Sequence, residues 1–165
     1  MKALLYSGLA VIALGLQITV IPTLALWGIR PNLVLVTLLA ITLRWRDTFA
    51  FLYAAALGVA LDSFTHSLLG VYGISFFIVA LAARVAGNAM YEDNILSATI
   101  AVFGLSVLEG VAFVSIFRTL DRQVPWWSWV MFRVLPESLY NAVLAPFAFL
   151  ALARLERWLR VQARQ

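Results

Sequence analysis

Cysteine is absent from the 165 residues, which excludes disulfides, thiolate metal sites and a cysteine nucleophile. Histidine occurs once, at His66, too few for a His-rich metal site. Lysine also occurs once, at Lys2, so arginine carries nearly all the basic charge. Charge of either sign is scarce: Asp, Glu, Lys and Arg make up 12% of the chain, against about a quarter in a soluble domain. Internal repeats, low-complexity tracts, Gly/Ser linkers and long polar stretches are missing. One domain is therefore expected, and any soluble catalytic domain must belong to a partner. G-x-S-x-G, H-E-x-x-H, a Walker loop and a Gly-rich dinucleotide fingerprint are also missing. The sequence implies no enzyme and no cofactor.

What the chain does have is apolar surface. Hydrophobic residues make up 64%, and the mean hydropathy is +0.95. A water-soluble fold of this size could not bury so much of it. The expected class is an all-α integral membrane protein. The net charge of +4 and pI near 10 then read as membrane topology and attraction to anionic headgroups, not as nucleic-acid binding.

A spanning helix needs about 20 apolar residues. Six candidate spans follow, over residues 3–21, 31–45, 48–64, 68–86, 95–117 and 134–153. The first could instead be a cleaved signal peptide, but Pro22-Thr23-Leu24 offers no clear cleavage site. Spans two and three are short and meet at the turn Arg44-Trp45-Arg46-Asp47. They form either a full hairpin or a partly inserted one, so four or five crossings stay open. Pro31 and Pro136 are expected at helix starts, where a missing N–H is harmless. Thr119 to Trp129 reads as the longest loop, its Pro125-Trp126-Trp127-Ser128-Trp129 run an interfacial anchor.

Basic residues give the orientation. With the N-terminus inside, the inner side holds Lys2, Arg44, Arg46, Arg84, Arg154, Arg157, Arg160 and Arg164. The outer side holds only Arg30, Arg118, Arg122 and Arg133. Both termini are expected in the cytoplasm. Residues 154–165 alternate Arg with Leu155, Trp158 and Leu159, as either a basic amphipathic end or a stop-transfer signal.

Four charges are expected to converge in the outer half of the membrane: Asp62, Glu109, Arg133 and Glu137. Glu109 lies eight residues before Phe117, about 12 Å in from the end of span five. Helical spacing puts Arg133, Glu137, Tyr140, Asn141 and Leu144 on one stripe. Such a group is either a binding or docking site or an ion-pair network that locks helix packing. Small residues pair at Ala54–Gly58, Ala56–Ala60, Ala82–Ala86 and Ala83–Gly87, as close helix approach requires. Pro146 interrupts span six and frees the carbonyl of Ala142, which implies a kink, either a plain bend or a gate, with nearby Asn141 expected to satisfy backbone or side-chain groups there.

Several short motifs occur in a recognisable order. Arg30-Pro31-Asn32-Leu33-Val34-Leu35 opens span two, and Gly58-Val59-Ala60-Leu61-Asp62-Ser63 closes span three. Leu69-Gly70-Val71-Tyr72-Gly73 opens span four. Leu135-Pro136-Glu137-Ser138-Leu139-Tyr140-Asn141-Ala142-Val143-Leu144-Ala145-Pro146 forms the first half of span six. In length, layout and these motifs the chain resembles the rod shape-determining MreD family. Members often carry Asp where this chain has Asn32, so it lacks that charge.

The resemblance implies a non-catalytic subunit of the bacterial elongation machinery in the inner membrane. It implies binding to MreC, a single-span protein with a periplasmic coiled coil. Through MreC it implies links to MreB, RodA and a class B penicillin-binding protein, and so to lateral peptidoglycan synthesis. It also implies a six-helix fold similar to the substrate-binding subunits of energy-coupling-factor transporters. Those subunits bind ligands in an outer-half cavity, so a small-molecule or lipid-binding transporter component is the alternative function.

Overall fold

A chain with apolar side chains on every face can satisfy its backbone without water only by helices or a closed barrel. In a computed structural model, which describes residues 2–25, 28–44, 50–65, 68–90, 95–120 and 125–162, the elements are helices. They are α1 (Lys2–Thr19), a 3-10 turn (Ile21–Leu24), α2 (Leu33–Arg44), α3 (Ala50–Thr65), α4 (Val71–Met90) and α5 (Ile95–Leu120). A single turn α6 (Trp126–Trp129), a π turn (Val130–Val134) and α7 (Leu135–Gln162) complete the chain. Expected residues 45–47, His66, Arg122 and Arg164 lie outside the described residues, as do the side chains of Lys2, Arg44, Trp158, Leu159 and Arg160.

Five of the six expected spans coincide with one helix each, within a few residues. The sixth is longer than its apolar stretch. α6, the π turn and α7 follow one another without a break from Trp126 to Gln162. The tryptophan run is therefore a helical turn and not part of a loop: Pro125 stands at its N-cap, a position that suits proline's missing N–H. Pro136 is the second residue of α7, as expected of a helix start, but the α6 and π turns before it place it ten residues into the continuous rod. There its ring would crowd a regular helix. The wider π turn just before it, with Leu135 N–H bonded to the Val130 carbonyl, makes the room.

Helix α2 is the centre of the bundle. It has 12 residues and rises about 18 Å, well short of a bilayer core of about 30 Å. Val34, Leu35, Val36, Leu38, Leu39, Ala40 and Ile41 are all buried, so no face of it is free. It packs against α1, α4 and α7. A helix enclosed by protein need not match the lipid, which is why this one can be short. By contrast α5 and the rod through α7 are long and apolar enough to cross a membrane over Ile95–Leu120 and Trp126–Arg157. The outer surface stays apolar: Val11, Ile12, Leu81, Val85, Phe132 and Phe147 are exposed. That pattern suits hydrocarbon around the bundle and not water.

The tightest crossing joins α3 and α4. A Cβ on Gly58 would strike the Tyr72 carbonyl and come within 2.7 Å of the Gly73 Cα. A Cβ on Gly73 would lie 2.7 Å from Val59 Cγ2. Of the small-residue pairs, Ala54–Gly58 is on this buried face, whereas Ala56 is exposed. At the end of the bundle near the termini, Tyr6 Oη donates to Glu156 Oε1 at 2.7 Å, tying α1 to α7. Tyr53 Oη donates to the Tyr6 carbonyl at 3.1 Å and adds α3.

Candidate functional site

At the other end of the bundle, polar groups fall into three sets. The first is a cap. Asp62, at the end of α3, is 2% exposed. Its Oδ2 accepts from Gly70 N–H at 2.9 Å and Gly73 N–H at 3.3 Å, and its Oδ1 accepts from Tyr72 N–H at 3.1 Å. These are donors that the start of α4 cannot satisfy within its own helix. Asp62 is thus an N-cap supplied from a neighbouring helix, with its charge facing the positive end of the α4 dipole. Gly70 makes the arrangement possible: its φ of +98° is open to glycine at little cost.

The second set wires the start of α2 to three other helices. Asn32 is the N-cap, its Oδ1 accepting from Leu35 N–H at 3.0 Å. Asn32 N–H donates to Asn141 Oδ1 at 2.7 Å, and Asn141 Nδ2 donates to Ser106 Oγ at 2.7 Å. Leu33 N–H donates to Gln17 Oε1 at 2.7 Å, and Gln17 Nε2 donates to the Pro31 carbonyl at 3.2 Å. A buried helix start is therefore satisfied by α1 and α7, with α5 holding Asn141 in place. Asn141 uses its polar atoms on α2 and α5, not on the carbonyl freed by Pro146.

The third set lines a cavity of about 420 Å³. Glu109 is its deepest acid, 4% exposed, and Oε1 is buried with no hydrogen-bond partner among the described residues. Because α5 continues to Leu120, Glu109 is eleven residues, about 16 Å, from the helix end. Glu137 is half-buried in the same cavity, and Arg30 and Arg133 line it from exposed positions. An aromatic ladder forms one wall: Tyr72 and Phe113 at 4.4 Å, Phe113 and Phe117 at 6.0 Å, Phe117 and Trp129 at 6.2 Å. The Arg133 guanidinium lies 5.2 Å from the Trp129 ring centre. Gly110 lets the rod approach α5, since a Cβ there would meet the Val134 side chain of the π turn.

The expected site residues are thus divided. Glu109, Arg133 and Glu137 meet in the cavity; Asp62 is buried in the α4 cap beside it. Asn141 lies behind Asn32, and Tyr140 turns away to donate to the Leu24 carbonyl at 3.3 Å. The buried face of α7 runs through Val134, Ser138, Asn141, Ala142 and Ala145. It is rotated by one residue from the stripe through Arg133, Glu137, Tyr140, Asn141 and Leu144. Gln17, Arg30, Tyr72 and Ser106 were not singled out from the sequence for this site. Gln17 could have been: it is an amide in the middle of an apolar helix. Ser106, three residues before Glu109, shares its helix face.

Among the described residues, no group of three or more His, Cys, Asp or Glu side chains could hold a metal. No curated protein and no solved structure matches the chain. The sequence pattern of the family described as rod shape-determining protein MreD matches residues 2–157, nearly the whole helical bundle. This chain belongs to the MreD family, a family of membrane proteins that act in rod shape determination.

Proposed function

We propose that this protein is a non-catalytic scaffold of the cell-elongation machinery, a multi-pass subunit of the bacterial inner membrane with both termini in the cytoplasm. It docks the transmembrane helix and juxtamembrane segment of MreC. Through MreC it connects MreB, RodA and a class B penicillin-binding protein, and it helps direct lateral peptidoglycan synthesis. The family match over residues 2–157 is the observation that carries this reading. The geometry supports it in kind. The Asp62 cap and the Asn32–Asn141–Ser106 chain tie helices to one another, which makes a rigid frame. The apolar exterior is the surface on which a partner's single span can pack. The reading includes a fold shared with the substrate-binding subunits of energy-coupling-factor transporters, to be tested by superposition on an experimental structure.

Affinity purification from native membranes after in-cell crosslinking, with mass spectrometry of the partners, tests the proposal. Recovery of a coiled-coil MreC-like protein with cell-wall synthases is expected. Recovery of an ATPase pair and a coupling subunit would instead make the protein a transporter component.

A further inference from the structure

The cavity beside α5 is lined in part by residues that also join the helices, but its charged groups take no part in those contacts. Its acids lie deep and its bases shallow: Glu109 is buried, Glu137 half-buried, and Arg30 and Arg133 exposed. Glu109 Oε1 has no partner among the described residues. A carboxylate shut away from water without a cation or a hydrogen-bond donor is costly, and in an apolar bundle the cost is largest. The Tyr72–Phe113 pair adds ring faces to the same cavity, and ring faces attract ammonium groups. A volume of about 420 Å³ is enough for a small ligand or a lipid headgroup. Ile18 and Phe64 also line the cavity, and both are exposed on the outside of the bundle. The opening therefore has an apolar lip.

A simple cation would satisfy the acids and leave the two arginines unused. A simple anion would suit the arginines and be repelled by the acids. A zwitterion that enters ammonium first, with its phosphate trailing, complements both. The apolar lip accommodates acyl chains behind such a headgroup. We propose that the cavity binds the headgroup of an amino-phospholipid, with its ammonium at Glu109 and Glu137 and its phosphate at Arg30 and Arg133. A basic side chain from a partner protein fits less well, because it brings nothing for the arginines.

The test uses the full chain, stripped of lipid in detergent and titrated with single lipids by native mass spectrometry and thermal shift. The probes are phosphatidylethanolamine, phosphatidylglycerol, which lacks the amine, and phosphatidylcholine, whose quaternary ammonium has no N–H. The ethanolamine lipid should bind about tenfold or more tighter than either, the scale of one charge-assisted hydrogen bond. E109Q should lose about tenfold for that lipid alone. E137Q provides a second reading if E109Q does not fold. Equal binding of the three lipids, or unchanged selectivity in both variants, would overturn the proposal. Soluble glycerophosphoethanolamine separates the sources: weaker binding with the same selectivity supports a lipid, and binding as tight as the lipid's would assign the cavity to a free amino-phosphate. The inference rests on the membrane setting proposed above but not on MreC. Partner recovery can fail while lipid selectivity stands, and the reverse.

Discussion

Asp62 and Glu109 are both carboxyls inside one helical bundle, 2% and 4% exposed, yet their surroundings are opposite. Asp62 accepts three backbone N–H bonds from the start of α4. Glu109 has an oxygen with no partner among the described residues. Burial is the same, so burial alone says nothing about role. What differs is whether the fold supplies the partner. Where it does, the charge serves the architecture, and removing it leaves donors stranded. Where it does not, the carboxyl is left for something from outside the chain, and removing it costs the fold little.

The largest effect expected from this contrast is at Asp62. D62A strands three backbone donors, one buried and two part-buried, and should destabilise the protein by about 3–5 kcal/mol, read as denaturant unfolding in detergent. D62N keeps one acceptor oxygen and should fall between D62A and the wild type. If D62A unfolded within about 0.5 kcal/mol of wild type, the cap would not be structural. Next is the crossing that the cap stabilises. G58A places a methyl against the Tyr72 carbonyl and Gly73, backbone that cannot step aside, and should cost about 1–3 kcal/mol. The same change at Gly104, where nothing lies within 4 Å, should be neutral or slightly stabilising. Equal effects at the two glycines would mean that α3 and α4 are not in close contact.

Much of this frame is legible in the sequence, because hydropathy and span length follow from the bilayer itself. The helices α1 to α5 lie where apolar runs place them, and the deep acid at Glu109 stands out against its neighbours. Other features depend on tertiary geometry. Nothing local says that Asp62 caps α4, since the cap exists only after the chain has turned at Gly70. The buried face of α7 keeps regular helical spacing but lies one residue on from the polar stripe, a rotation set by the neighbouring helices, and the π turn before Pro136 is likewise invisible to a 3.6-residue period. The tryptophan run looks like a loop because Pro125 precedes it, but proline there starts a helix instead. The MreD motifs are legible as an ordered set, and the family match accounts for them. Which residues bind MreC is not written in them.

The Asn32–Asn141–Ser106 chain is intermediate between the two carboxyls: neutral, buried and fully paired. N141L removes two hydrogen bonds and strands Asn32 N–H, and should cost about 1–2 kcal/mol, near the upper end for polar contacts between membrane helices. S106A removes only the acceptor for Asn141 Nδ2 and should cost about 0.5–1 kcal/mol. A cost for S106A as large as that for N141L would show that the link to α5, and not that to α2, dominates.

The smallest stability effect is expected at Glu109, and the sign is the informative part. In lipid-free protein E109Q replaces a carboxyl whose Oε1 makes no bond by a neutral amide of the same shape. No partner is stranded, because none was bonded to that oxygen. The melting curve should therefore move little, within about 0.5 kcal/mol, or move upward, as when an unpaired buried acid is replaced by a neutral group. E109L, which fills the same space with carbon, should behave alike. Adding phosphatidylethanolamine should then separate the proteins: wild type rises, and both variants rise less. A loss of several kcal/mol in lipid-free E109Q would place Glu109 with Asp62, as a carboxyl the fold itself depends on.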